Sequence, residues 1–150
     1  NSDQFIRRIT VIFALGLMIV SIWLIPFNHD DNSSNLRSEA NTFSTKKLSS
    51  LRSEKKAVFV NFTADWCITC KVNEAVALNQ DNVKKLLNEK GIVYLKADWT
   101  RKDSEIASIL ANYGRTGVPL YLLFPSSGDP IILPELLTED LLLDFLSKIN

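Results

Sequence analysis

The stretch Ala57-Val58-Phe59-Val60-Asn61-Phe62-Thr63-Ala64-Asp65-Trp66-Cys67-Ile68-Thr69-Cys70-Lys71 decides how this chain is read. An apolar, β-rich run ends at Phe62, and from Cys67 onward the spacing becomes helical, so a strand passes into a helix within a few residues. Two thiols separated by two residues at the start of a helix can close into a small disulfide ring and reopen at little structural cost. Cys67 also sits where the free N–H groups and partial positive charge of a helix terminus favour a thiolate over a thiol. The chain has two cysteines, so neither has another partner within it. The pattern reads as a redox-active pair.

Blander uses of the pair fare worse. A structural zinc site needs four ligands, and beyond the cysteines the chain offers only His29, in a polar stretch far from the motif. Covalent haem attachment needs histidine directly after the second cysteine, and Lys71 stands there. A purely structural disulfide would close a very short loop, where the entropic gain is small.

The rest of the chain is uneven. Its 17 basic and 17 acidic residues balance, which gives no electrostatic footprint for nucleic acid. Yet Ile9 to Phe27, ITVIFALGLMIVSIWLIPF, carries no charge. As a helix it would span roughly 28 Å, about the hydrocarbon thickness of a bilayer. Trp23 suits an interfacial anchor, and Pro26 falls where a helix can end. A cleaved signal peptide is the rival, but the run is long and Ile25-Pro26-Phe27-Asn28-His29-Asp30 lacks an A-x-A-like cleavage site. We read residues 9–27 as a transmembrane helix, 1–8 as its cytoplasmic flank, 28–41 as a polar linker and 42–150 as a globular domain. Arg7 and Arg8 precede the span and Asp30 and Asp31 follow it, so the positive-inside rule puts the domain on the outer face. That compartment is oxidising, and a dithiol there stays reduced only if something supplies electrons. The chain opens on Asn1 rather than methionine, as a piece of a longer protein would.

Within 42–150 the expected order is α-β-α-α-β-α-β-β-α, a mixed sheet with helices on both faces. Lys46–Lys56 reads as an amphipathic helix with Leu48 and Leu51 on one face, and Ala57–Phe62 as a strand. Cys67 to about Leu78 reads as a helix with Val72, Ala75 and Val76 inward. Asp81 can cap a helix through Lys90 that ends at Gly91, and Ile92–Ala97 is a strand. Thr100 or Asp103 can cap Glu105–Tyr113. Pro119–Phe124 and Ile131–Leu133 form a hairpin around Ser126-Ser127-Gly128-Asp129, and Thr138 can cap a last helix through Ile149.

With Ala64 to Lys71 and Tyr113-Gly114-Arg115-Thr116-Gly117-Val118-Pro119 in place, residues 42–150 resemble the thioredoxin superfamily, an α/β fold. More narrowly, Phe62-Thr63-Ala64-Asp65-Trp66-Cys67, Lys96-Ala97-Asp98-Trp99-Thr100 and Gly117-Val118-Pro119-Leu120-Tyr121 look like the C-terminal periplasmic domain of the DsbD family of thiol:disulfide interchange proteins. The apolar helix before it matches the last membrane span of that family. The resemblance implies a protein-disulfide reductase of the inner membrane, with this domain in the periplasm. A membrane electron-transfer core would reduce the domain, and the domain would reduce the family's N-terminal domain. Oxidised periplasmic thiol proteins, disulfide isomerases and cytochrome c maturation factors lie downstream. It also implies a cis Pro119 lying against the disulfide, with the Val118 backbone pairing with an incoming substrate strand.

The implied chemistry is dithiol exchange with no organic cofactor and no metal. Cys67 attacks, Cys70 resolves, and Trp66, Val118 and Pro119 form the substrate-docking surface. Lys71 and Asp65 read as solvated, with thiol tuning as the alternative. One departure stands out. Thioredoxin-like reductases commonly carry a buried acid where this chain has Asn61, and an amide cannot take a proton from Cys70. Glu74, four residues after Cys70 on the same helix face, is the substitute, and the family also shows an acid there; the other reading is a solvated carboxylate. Two rival functions remain. A disulfide oxidase or isomerase is disfavoured because Ile68-Thr69 contains no cation to stabilise a thiolate strongly. A thioredoxin-like binding module with passive cysteines is the non-catalytic alternative.

Overall fold

The computed structural model describes residues 41–149. The expected membrane helix at 9–27, its flank and most of the linker lie outside the described residues. Among the described residues no helix is long and apolar enough to cross a membrane.

The elements follow the expected order: α1 (Thr45–Ser53), β1 (Val58–Thr63), α2 (Ile68–Asn73), which runs on as a π-helical segment over Glu74–Leu78, then α3 (Asp81–Glu89), β2 (Val93–Asp98), α4 (Ser104–Asn112), β3 (Leu120–Phe124), β4 (Ile131–Leu133) and α5 (Glu139–Ser147). The strands form one mixed sheet in the order β2-β1-β3-β4, with β1 and β2 parallel and the other pairs antiparallel. Strand β1 lies inside it and is buried from end to end, which suits its β-branched and aromatic side chains.

Local chemistry sets most boundaries. Ser44, Asp103 and Thr138 cap α1, α4 and α5, each accepting a backbone N–H of the first turn. Of the two candidates for α4, Asp103 is the cap, and Thr100 is used elsewhere. Asp81 is not a cap but the first residue of α3, after Gln80. That helix ends before Gly91, whose φ of +63° is the left-handed conformation glycine adopts freely.

Alternation along β1 separates two cores. Val58, Val60 and Phe62 face one side, where Leu95, Ala97, Leu120 and Leu122 from neighbouring strands meet Ile106 and Leu110 of α4, with Leu48 and Leu51 of α1 at the margin. Phe59 faces the other, against Tyr121 and Leu123, Ala77 and Leu78 of the π-helical segment, and Leu142 and Leu146 of α5. This second layer lies beneath the helix that carries the cysteines.

The inward face of that helix is not the expected one. Val72, Ala75 and Val76 lie on the surface, and Cys70, Asn73, Ala77 and Leu78 point in. Burial of Cys70 sets the phase, and residues three, seven and eight positions later follow it inward. Apolarity alone misleads here because a polar residue, Asn73, takes an inward position and satisfies its amide there.

Candidate functional site

The site is assembled where β1 ends and α2 begins. Cys67 is the N-cap of α2, and its Sγ accepts the Cys70 N–H at 3.1 Å. The two sulfurs are bonded, with Cα atoms 5.3 Å apart. Cys67 keeps 6% of its surface exposed and Cys70 none, so an incoming partner meets Cys67. The N–H already pointing at Cys67 Sγ is also the group that would favour negative charge on that sulfur after reduction. The disulfide packs against Ala64 and Val118. The Val118–Pro119 peptide bond is cis, as the resemblance implies. Beside it a groove of about 280 Å³ is lined by Gly114 to Pro119 and Glu135.

Trp66 is half exposed at the rim. It is held rather than loose, because its Nε1 donates to Thr100 O at 3.2 Å and its ring lies 6.0 Å from that of Trp99. Asp65 N donates to Thr100 Oγ1 at 2.9 Å, and Thr100 in turn bonds Asp98. Thr100 thus pins the loop before Cys67. Burial opposes charge on Asp98, but the Thr100 hydroxyl and amide, with Lys96 and Lys71, hold its pKa below the ordinary value. Lys71 and Asp65 pair with each other at 3.2 Å, both exposed, and the hydrogen bond that Lys71 donates to Asp65 raises the Lys71 pKa. Their charges answer one another at the surface.

Beneath the disulfide the second layer turns polar. Asn61 and Thr63 are both buried. Asn61 Nδ2 donates to the Tyr94 hydroxyl at 2.9 Å, and among the described residues none donates to its Oδ1. Thr63 Oγ1 donates to Glu74 Oε1 at 3.2 Å. Asn73 Nδ2 donates to the Tyr121 hydroxyl at 2.9 Å and to Glu135 O at 2.6 Å, and its Oδ1 accepts Leu137 N–H at 3.2 Å. Burial raises the pKa of both phenols, that of Tyr121 to about 12, and the Glu74 charge adds to the effect on each. Glu74 N–H donates to Cys70 O, so the acid and the inner cysteine sit one helical turn apart on one face.

Sequence reasoning named the cysteines, Trp66, Glu74 and the Val118-Pro119 segment, and the structure gathers these at one end of the sheet. It did not name Thr63, Asn73 or Thr100 as parts of the site. Hydroxyl or amide residues in a strand, a helix and a loop carry no local mark of the partner they will find.

Among the described residues no group of three or more His, Cys, Asp or Glu is placed to hold a metal. The arrangement carries its two electrons on the cysteine sulfurs, which is the chemistry of a disulfide oxidoreductase. A family model described as thioredoxin-like matches residues 39–126, and the chain belongs to that family. Within it, the chain is similar to proteins named thiol:disulfide interchange protein DsbD. It is 32% identical to that of Yersinia pestis (strain Pestoides F) over 80 residues, which is 53% of this chain and 13% of that protein. It is 28% identical to that of Actinobacillus pleuropneumoniae serotype 5b over 131 residues, 81% of this chain and 22% of that protein. The chain therefore spans less than a quarter of the length of these curated relatives. Among solved structures, the oxidised DsbD C-terminal domain of Neisseria meningitidis superposes with a TM-score of 0.60 at 26% identity, covering 74% of this chain and 100% of that one.

Proposed function

We propose that this chain is a membrane-tethered thiol:disulfide reductase that passes electrons from a membrane core to oxidised proteins of the periplasm. The observation that carries the reading is the Cys67–Cys70 disulfide, with one sulfur reachable and the other buried, packed against Val118 of a cis Val118–Pro119 segment. The likeness to DsbD C-terminal domains supports it, as does the uncharged run from Ile9 to Phe27 behind Arg7 and Arg8.

In the reduced domain Cys67, as thiolate, attacks one sulfur of the target disulfide, and the target's other sulfur leaves as a thiolate. A substrate strand lies along the groove at Gly114 to Pro119 and pairs with the Val118 backbone, which sets the attacked sulfur in line. Cys70 then gives up its proton and attacks Cys67 Sγ. The Cys67–target bond breaks, the target leaves with two electrons, and the Cys67–Cys70 bond forms. Glu74, one turn from Cys70, accepts that proton in the place of a buried strand acid. A dithiol donor, the membrane core or its equivalent, restores the reduced pair. Downstream, disulfide isomerases and cytochrome c maturation draw on this supply, and the family's N-terminal domain is the first acceptor.

The reduction potential of the pair and turnover of a disulfide substrate test the reading together. A potential near that of thioredoxin, about −270 mV, with steady turnover is expected. A potential near that of strong oxidants, about −120 mV, would make the chain an oxidase. No turnover with any disulfide would make it a binding module. Single-turnover release of a Cys67-linked mixed disulfide tests the acid, with Glu74→Gln expected to slow release about tenfold near neutral pH.

A further inference from the structure

Thr63 lies at the last position of β1, facing the helix, and is 1% exposed. Valine would fill the same space, so packing alone does not call for a hydroxyl there, and a buried hydroxyl without a partner is costly. The partner is Glu74, whose Oε1 accepts the Thr63 hydroxyl at 3.2 Å.

The two side chains differ in freedom. A β-branched residue in a strand has a restricted χ1, so the backbone of β1 determines where the hydroxyl points. Glu74 is partly exposed, on a helix that widens into the π-helical segment beginning at that residue. It has three rotatable side-chain bonds, and water on its outer side competes for its carboxylate. Without an anchor on the sheet the carboxylate would turn outward, away from Cys70.

We propose that Thr63 is a positioning residue for the resolving step. Its hydroxyl holds Glu74 Oε1 against the sheet and leaves Oε2 to exchange a proton with Cys70 one turn away. The inference rests on the reading of Glu74 as the acid that serves Cys70. As Cys70 Sγ attacks Cys67 Sγ in the mixed disulfide, the Cys70 proton goes to Glu74, the new S–S bond forms, and the target sulfur departs as a thiolate. Thr63 exchanges no proton or electron and fixes only where the acceptor oxygen stands. Asn61, two residues earlier on the same face of β1, cannot replace Glu74 as the proton acceptor, because its Nδ2 is held by the Tyr94 hydroxyl and an amide oxygen does not hold a proton near neutral pH.

The test uses the full chain and four variants: Thr63→Val, Thr63→Ser, Glu74→Gln and the Thr63→Val/Glu74→Gln double variant. Release of a Cys67-linked mixed disulfide is followed from about pH 6 to 9, a range that brackets the free thiol pKa. The titration of the Glu74 carboxyl carbon is followed by NMR in parallel. Thr63→Val should slow release near neutral pH about three- to tenfold, the worth of one hydrogen bond. It should also move the Glu74 carboxyl signal. Thr63→Ser, which keeps the hydroxyl, should restore both, and Thr63→Val should add nothing once Glu74 is Gln.

Equal slowing by Thr63→Val with and without the Glu74 carboxylate would overturn the proposal, since the threonine would then act through packing. An unmoved Glu74 signal in Thr63→Val would overturn it as well. If Glu74→Gln resolves at the wild-type rate while Thr63→Val still displaces the Glu74 signal, Thr63 does position Glu74, and the acid reading is what fails.

Discussion

The two faces of β1 share a backbone and both bury apolar side chains, but they part company toward the cysteine end. Val58, Val60 and Phe62 pack into an apolar cluster, and among the described residues that cluster contains no fully buried polar side chain. On the opposite face Phe59 gives way to Asn61 and Thr63 as the strand approaches the cysteines, and Asn73, Tyr94 and Tyr121 join them. A buried polar group returns little net stability even when paired, and it costs stability where it is not. Among the described residues none donates to Asn61 Oδ1. Both faces bury apolar clusters; the dry face stays apolar to its end, whereas the polar face gives up some stability to keep hydroxyls and amides near the cysteines.

The largest effect belongs to the sulfur at the end of the polar face. Cys67→Ser should abolish turnover of disulfide substrates to below detection while the circular dichroism spectrum stays native, because the lost bond closes only a short loop. Retained turnover would remove Cys67 from the mechanism. On the dry face, Phe62→Ala should cost about 3–5 kcal/mol in urea unfolding, for the lost contacts and the cavity left behind. Under conditions where the variant is folded, its exchange rate should match wild type. A large loss of rate per folded molecule would show that the two faces are not separable.

Alkaline pH sharpens the contrast from the polar side. Burial holds the Tyr121 phenol neutral up to about 12, above its ordinary value of 10. A raised folded-state pKa means stability that is whole below about pH 10 and is lost as pH climbs from there toward 12. Urea midpoints across that range should fall, with a phenolate absorbance step near the upper end. In Tyr121→Phe the fall should be shallower, Tyr94 and Tyr113 still contributing through their own raised values. An unchanged slope would mean that Tyr121 ionises as it does in the unfolded chain. The smallest effect belongs to the outer face of α2. Ile68 is 80% exposed, and Val72 and Val76 are about half exposed. Val72→Ser should change stability by less than about 0.5 kcal/mol, although the residue is apolar and sits on the active-site helix.

Thr100 and Asp103 stayed equal candidates for the cap of α4, but element order, the cap at Thr138, the β3–β4 hairpin and the cysteine pair were all legible in the sequence. They depend on neighbours within a turn or a hairpin, and periodicity and capping chemistry record such neighbours directly. The phase of α2 was not legible. The apolar residues Val72, Ala75 and Val76 pointed to one face, and the burial of Cys70 with the three hydrogen bonds of Asn73 selected another.

What the sequence determined by itself was a dithiol pair at a strand-to-helix junction and its alternation of strands and helices; the proline segment beside the pair came from the family resemblance. The floor of the site was decided only by the tertiary structure. Thr63 finds Glu74 across 11 residues, Asp65 finds Thr100 across 35, and Asn73 finds Glu135 across 62. A hydroxyl or amide has no periodicity that foretells a distant partner. Its role exists only once the sheet has paired and the helix has been laid over it.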